Sequence, residues 1–423
     1  MPRPAREAVA VRRILGAGGA VLAQVITAVG SLLLQLVAAR ELGASGFAAF
    51  TLLNGALVVM ATLHTAWVGD SLTVLDRFDP RVRAGLFVSL LGTLALGAVA
   101  GTILALVFGA LPGVRAMLFG LLVVVWLAED TGRRLLAARM EFGRLAGNDG
   151  LHLLTTCVVL AVVHVTAGIT LEWLLVAMAA GCVLSTCLVL LRTPREELAL
   201  PSLRGADVRG VAVFAGWRAA QAVLRPTTLL LARVAIAALV SSTALAATEA
   251  ARLLLAPTLT LINGVGSFLL PRMVRLREAG QPLRARLALT ASVTLTAVSA
   301  VSALVAVLLT GPLEHLITAG RFDIEPVTVA GWGAYCVSIA ATMPVSLLAT
   351  AYRHSRLVFN VRLIESVVGL AVLVVMLLWR PDLVGLAPFY IGTGGVATSV
   401  VLVIRLHTLR SETGPHVAVK ADR

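Results

Sequence analysis

The chain has 423 residues, of which 59% are hydrophobic and only 13% charged, and its mean hydropathy is +0.95. Soluble domains carry roughly 25% charged and 45–50% apolar residues, so a soluble globular protein is excluded. The formal charge of +13 does not indicate nucleic acid, because the basic residues form short clusters between apolar runs, without a basic domain or interleaved aromatics.

Many of the apolar runs are long enough to cross a ~30 Å hydrocarbon core at 1.5 Å per residue. A basic leader (1–14, with Arg3, Arg6, Arg12 and Arg13) precedes the first run. That run is too long for a cleavable signal peptide and lacks a small-residue cleavage site. Six spans are predicted in a first bundle (15–191), at 15–38, 44–68, 84–109, 112–128, 149–168 and 170–191. The fourth of these is short. A polar link, 192–209, separates them from a second bundle (210–406). Its spans are predicted at 210–238, 243–270, 285–309, 327–351, 358–379 and 383–405, the first of them unusually polar. The tail 407–423 reads as disordered. The predicted fold class is an all-α polytopic membrane protein of about twelve helices in two six-span halves.

Cytoplasmic loops of membrane proteins carry the excess of Lys and Arg. With the N-terminus inside, only Arg40, Arg115, Arg321 and Arg380 fall in segments placed outside, out of 35 basic residues in all. A wrong helix count would scramble this alternation from the error onward. Twelve spans with both termini in the cytoplasm are therefore expected, in the inner (plasma) membrane. Trp67 and Trp126 near inner ends, and Trp173, Trp332 and Trp379 near outer ends, match interfacial aromatic belts. The hydrophilic stretches 129–148, 192–209 and 271–284 are all placed in the cytoplasm. Each half starts inside, so any internal repeat is parallel. The stretches from Glu41 to Arg77 and from Ala238 to Arg275 share an order of small residues before a basic loop.

Cys157, Cys182, Cys187 and Cys336 lie inside apolar runs without metal-ligand or disulfide spacing. No P-loop, HExxH, metal-binding DxD pair or Ser/His/Asp constellation outside the spans is present. The reading is accordingly of a protein that is not an enzyme, with no cofactor and no metal.

Charges at bilayer depth cost about 2.5–3.5 kcal/mol each on insertion scales and usually face a cavity or a partner. Here they concentrate in the seventh span, with Arg218, Arg225 and Arg233, and in the eighth, with Glu249 and Arg252. At 3.6 residues per turn, Arg225 lies about 20° from Arg218 and Arg233 about 80° beyond it. The three guanidiniums share one side of a helix at inner, middle and outer depth, and Pro226 is expected to weaken that helix. Glu249 and Arg252 stand one turn apart and are expected to neutralise one another, leaving excess positive charge. Arginine forks match phosphate oxygens, so these four arginines are the candidate site for an anionic headgroup. Glu249 and Asp70 are candidates for coupling or gating. Arg40 with Glu41, and Arg362 with Glu365, read as interfacial pairs, and His64 as a hydrogen-bonded structural histidine rather than a proton site.

The long first span followed by AARELGASGFAAFTLLNGALV resembles the oligosaccharide and polysaccharide flippases of the multidrug/oligosaccharidyl-lipid/polysaccharide exporter superfamily. The residues that carry the likeness are Ala38, Ala39, Arg40, Leu42, Gly43, Gly46 and Phe47. LLLAPTLTLINGVGSFLLPRMVRL, with Pro271 and Arg272, is similar to the family's second-half counterpart. The resemblance implies a MATE-like fold, two six-helix bundles around a central cavity, working by alternating access. It also implies a lipid-linked, pyrophosphate-bearing saccharide as substrate, with glycosyltransferases and a polymerase of the same pathway as partners. On it, Arg218, Arg225, Arg233 and Arg252 would stand near the substrate's phosphates. The first half departs from the pattern, because spans one and two carry no comparable internal arginines.

The nearest alternative is a cation-coupled drug or metabolite antiporter of the same superfamily. It needs an acid in the first bundle, where the sequence offers only Asp70 or Glu41. A major-facilitator transporter is disfavoured by the spacing in GDSLTVLDRFDPRVR and by the short central link. A polytopic membrane enzyme would need clustered polar residues at one interface, which the sequence does not present.

Overall fold

The computed structural model describes residues 3–198, 201–278, 285–351, 354–392 and 395. In the first half the helices are α1 (Arg3–Glu41), α2 (Gly43–Val74), α3 (Pro80–Val107), α4 (Ala116–Ala138), α5 (Phe142–Thr166), α6 (Leu171–Arg192) and the single turn α7 (Arg195–Leu198). They continue with α8 (Val208–Leu239), α9 (Ser242–Leu254), α10 (Ala256–Glu278), α11 (Ala285–Leu308), α12 (Thr310–Thr318), α13 (Pro326–Ala351) and α14 (Ser355–Trp379). Among the described residues there is no strand, and the chain is an all-α polytopic membrane protein. Among the described residues nine helices are long and apolar enough to span a membrane, and the bent pair α9–α10, taken as one span, makes a tenth. α4 occupies the place of the expected fourth span. The span expected at 383–405 lies largely outside the described residues, as does the tail 407–423.

Local chemistry explains the helix starts. Asp79 caps α3 by accepting from the backbone N–H of Arg81 (2.7 Å) and Val82 (3.2 Å), with Pro80 at the first helical position. Ser241 caps α9 through the Ala244 N–H at 3.0 Å. α8 runs through Pro226 as one helix. The expected eighth span, by contrast, is broken by 57° between Leu254 and Ala256. Pro257, in the next turn, lacks the N–H needed to carry on the ladder, and its ring crowds the carbonyl four residues back. In α2 the residues Thr65–Gly69 form one π turn, directly after His64.

The sequence reading left 129–148 as a hydrophilic stretch between two spans, and the structure shows helix over most of it. α4 runs on to Ala138 and α5 begins at Phe142, with Glu129, Asp130, Asn148 and Asp149 all buried. Hydropathy marks the end of an apolar stretch. It does not mark the end of a helix whose charges are satisfied by neighbouring helices.

The chain forms two compact units, Met1–Leu230 and Leu231–Arg423. The boundary between the units falls within α8. In the first unit α1 packs on α5, α5 on α6, α6 on α4 and α4 on α3. Close helix approach needs small residues: a Cβ on Gly120 would lie 2.6 Å from the Ala98 carbonyl oxygen across the α3–α4 seam. In the second unit α13 is central, packed by α11, α10 and α9. Large apolar side chains such as Val21, Val25, Val29, Val99 and Ile103 point outward, as a lipid solvent permits.

Candidate functional site

Two buried charge clusters stand out, one in each unit. In the second unit Arg233 of α8 grips Glu249 of α9 with two bonds, Nε to Oε1 at 2.8 Å and Nη2 to Oε2 at 3.0 Å. Arg252, one turn further along α9, donates from Nε to Oε2 at 2.8 Å. Glu249 is 2% exposed and Arg233 9%. The tight turn through Val240 and Ser241 puts Arg233 and Glu249 about two helical turns from the bend on either side, so the hairpin brings them level. Trp332 of α13 pins α9 in place, its indole N–H donating to the Thr248 carbonyl at 2.8 Å. The carboxylate is thus shared by two guanidiniums.

Of the residues singled out in the sequence, Glu249 and Arg252 meet as their spacing predicts. Arg233 joins them instead of reaching outward on its own. Arg218 and Asp70 are brought together within the first unit, with Nε 2.9 Å from Oδ2 in a half-exposed pair. Arg225 is half-buried midway along α8. His64 is buried, its Nδ1 2.9 Å from Thr93 Oγ1 and its Nε2 2.8 Å from Thr131 Oγ1. Glu41 faces His164 at 3.9 Å.

The cluster in the first unit is one that the sequence reading missed. Arg133 of α4 binds Asp149 of α5 through Nε to Oδ1 at 2.8 Å and Nη2 to Oδ2 at 3.0 Å, and reaches Thr27 of α1 at 3.1 Å. Thr65, in the π turn, donates to Asp130 Oδ2 at 2.6 Å. On its other side Asp130 faces Arg134, 3.6 Å away. Glu129, 6% exposed, meets His152 Nδ1 at 2.9 Å, while the Trp126 ring packs edge-on against that imidazole. Glu129, Asp130, Arg133, Asp149 and His152 bound a cavity of about 210 Å³, lined also by Asn54 and Gln35.

The expectation that the first bundle offers only Asp70 or Glu41 as an acid is therefore corrected. Glu129, Asp130 and Asp149 are all buried there. The signal was present as EDTGRR and NDG at the edges of two apolar runs, at the helical spacing that puts Glu129 and Arg133 on one face. Glu129, His152 and Cys182 also bring three possible metal-ligand atoms within 4.8 Å of one another.

No protein-family model matches the sequence, and no curated protein matches it. Solved structures do. A multidrug resistance MATE family transporter of the MOP superfamily, in an inward-facing conformation, superposes with a TM-score of 0.68 at 13% identity, covering 92% of this chain and 96% of the other. The lipid II flippase MurJ, inward closed, gives 0.67 at 12% identity, covering 93% and 87%. A MOP superfamily transporter from Pyrococcus furiosus gives 0.59 at 14% identity, covering 93% and 95%. The fold of this chain is the MATE-like fold shared by these transporters and the lipid II flippase.

Proposed function

We propose that the protein is a transporter that flips a lipid-linked, pyrophosphate-bearing oligosaccharide or related polysaccharide precursor across the plasma membrane by alternating access. The observation that carries this reading is the triad Arg233–Glu249–Arg252, in which two guanidiniums share one buried carboxylate. Arginines at that depth are costly and usually face a partner or a cavity. Arg218 and Arg225 extend the same helix toward its other end, and arginine forks are matched to phosphate oxygens. The likeness in fold to the lipid II flippase supports the reading. In this role the arginines bind the headgroup, Glu249 holds two of them in register, and Asp70 orients Arg218. The chain acts within the bilayer, and its partners are the lipid-linked saccharide and the glycosyltransferases and polymerase of the same pathway.

Reconstituted protein should move a labelled polyprenyl-pyrophosphate saccharide across a vesicle membrane. Arg225→Ala should cut the rate at least tenfold, the loss of about 1.4 kcal/mol, without lowering reconstitution. Unchanged transport in that variant would remove Arg225 from the site.

A second reading, cation-coupled export of a drug or metabolite, is favoured by one observation. The first unit has an acid-rich cavity bounded by Glu129, Asp130 and Asp149. Dye efflux driven by a proton or sodium gradient, with no lipid movement, would decide for it.

A further inference from the structure

The first unit also brings together a donor set that the transport reading does not use. Glu129 of α4, His152 of α5 and Cys182 of α6 each point a ligand atom to one place, all within 4.8 Å. The three residues are far apart in sequence and come from three helices that pack on one another. Glu129 and Cys182 are buried, and His152 is partly so.

Two further facts turn the cluster toward a metal ion. The guanidiniums beside Glu129 are engaged by other carboxylates, Arg133 by Asp149 and Arg134 by Asp130. The Glu129 carboxylate instead faces the His152 imidazole and the Cys182 thiol and Ser185 hydroxyl. The second fact is the cavity of about 210 Å³, which has Glu129 and His152 in its wall. It leaves one side of the cluster open to a water or ligand oxygen.

We infer that Glu129, His152 and Cys182 form a binding site for a borderline-soft divalent cation of the zinc class, with a fourth ligand supplied from the cavity. Zinc binds sulfur at about 2.3 Å and imidazole nitrogen or carboxylate oxygen at about 2.0–2.2 Å, in tetrahedral array. Neighbouring donors then stand roughly 3.5 Å apart by that geometry. The Nδ1–carboxylate distance of 2.9 Å opens by about half an ångström to admit the ion, a small rotation of two side chains. Thiolate and imidazole select against magnesium and calcium, which prefer all-oxygen sites. Binding deprotonates the Cys182 thiol and releases that proton to solvent. The bound ion ties α4, α5 and α6 together. The site stands independently of what the protein transports.

The test uses the purified full-length chain in detergent, titrated with Co²⁺. One equivalent should bind and give a thiolate-to-cobalt charge-transfer band in the near ultraviolet, with visible bands of tetrahedral intensity. Zn²⁺ should displace it. Cys182→Ser should abolish the charge-transfer band, and Glu129→Gln should weaken Co²⁺ binding at least about tenfold. A variant in which Cys157, Cys187 and Cys336 are all serine keeps Cys182 as the sole thiol and should retain band and stoichiometry. No charge-transfer band in the unaltered protein overturns the site. So does a band that survives Cys182→Ser, or one lost from the variant in which Cys182 is the only thiol.

Discussion

The two buried charge clusters are made of the same ingredients in different proportions. In the first unit Asp149 and Asp130 face Arg133 and Arg134, and a third carboxylate, Glu129, faces His152. In the second unit two guanidiniums share one carboxylate. The first cluster lines a cavity and has spare acids. In the second, a single acid holds two cations. A bundle interior therefore tolerates an uneven count of acids and bases when the partners are bidentate and preorganised.

The asymmetry ranks the consequences of mutation. Glu249→Gln removes the buried carboxylate that the buried Arg233 and the partly buried Arg252 share, and removing one partner of a buried pair costs about 3–5 kcal/mol. It should give the largest fall in thermal or denaturant midpoint of the detergent-solubilised protein. Replacing Glu249, Arg233 and Arg252 together with leucines should recover most of that loss. If Glu249→Gln alone leaves the midpoint unchanged, the triad does not hold α9 to α8.

Gly181→Val comes next. A Cβ there would lie 2.6 Å from Thr156 Oγ1 and 2.9 Å from the His152 carbonyl oxygen. The α5–α6 seam must open, at about 1–3 kcal/mol, and the cobalt signature expected at His152 and Cys182 should weaken with it. Asp149→Asn should cost less than Glu249→Gln, about 1–3 kcal/mol, because Arg133 keeps Glu129 and Asp130 as neighbours. An equal or greater cost, read from the same unfolding curves, would refute the idea that spare acids buffer the first cluster. The smallest effect belongs to Asp70→Asn. Its half-exposed pair with Arg218 is worth at most about 1 kcal/mol, so stability should hardly move. A change in lipid transport without a change in midpoint would assign the pair to the transport path.

Much of the second cluster was legible in the sequence. Three arginines on one polar span and Glu249 one turn from Arg252 are visible as spacings. Arg233 could have been placed with Glu249 too, from their matched distances to the hairpin turn at Ser241. The first cluster was hidden for a physical reason. Glu129 to Arg134 interrupt an apolar run, and a hydropathy reading ends the span there. Tertiary pairing with Asp149, Thr65 and Thr27 keeps α4 helical and buried past that point. The π turn after His64 and the break before Pro257 likewise depend on how the helices lie against their neighbours or on the loss of a single N–H.

The sequence by itself determined the solvent, the helical class and the order of the spans. Transfer free energy is close to additive along a chain, and a run of apolar residues has one low-energy form in lipid, the helix. It also determined the caps, which are local. Only the tertiary structure decided which charge meets which, because electrostatic pairing depends on distances between helices that composition and spacing do not contain. The carboxylate-rich cluster near Glu129 and the shared carboxylate of Glu249 therefore become visible only when the helices are assembled.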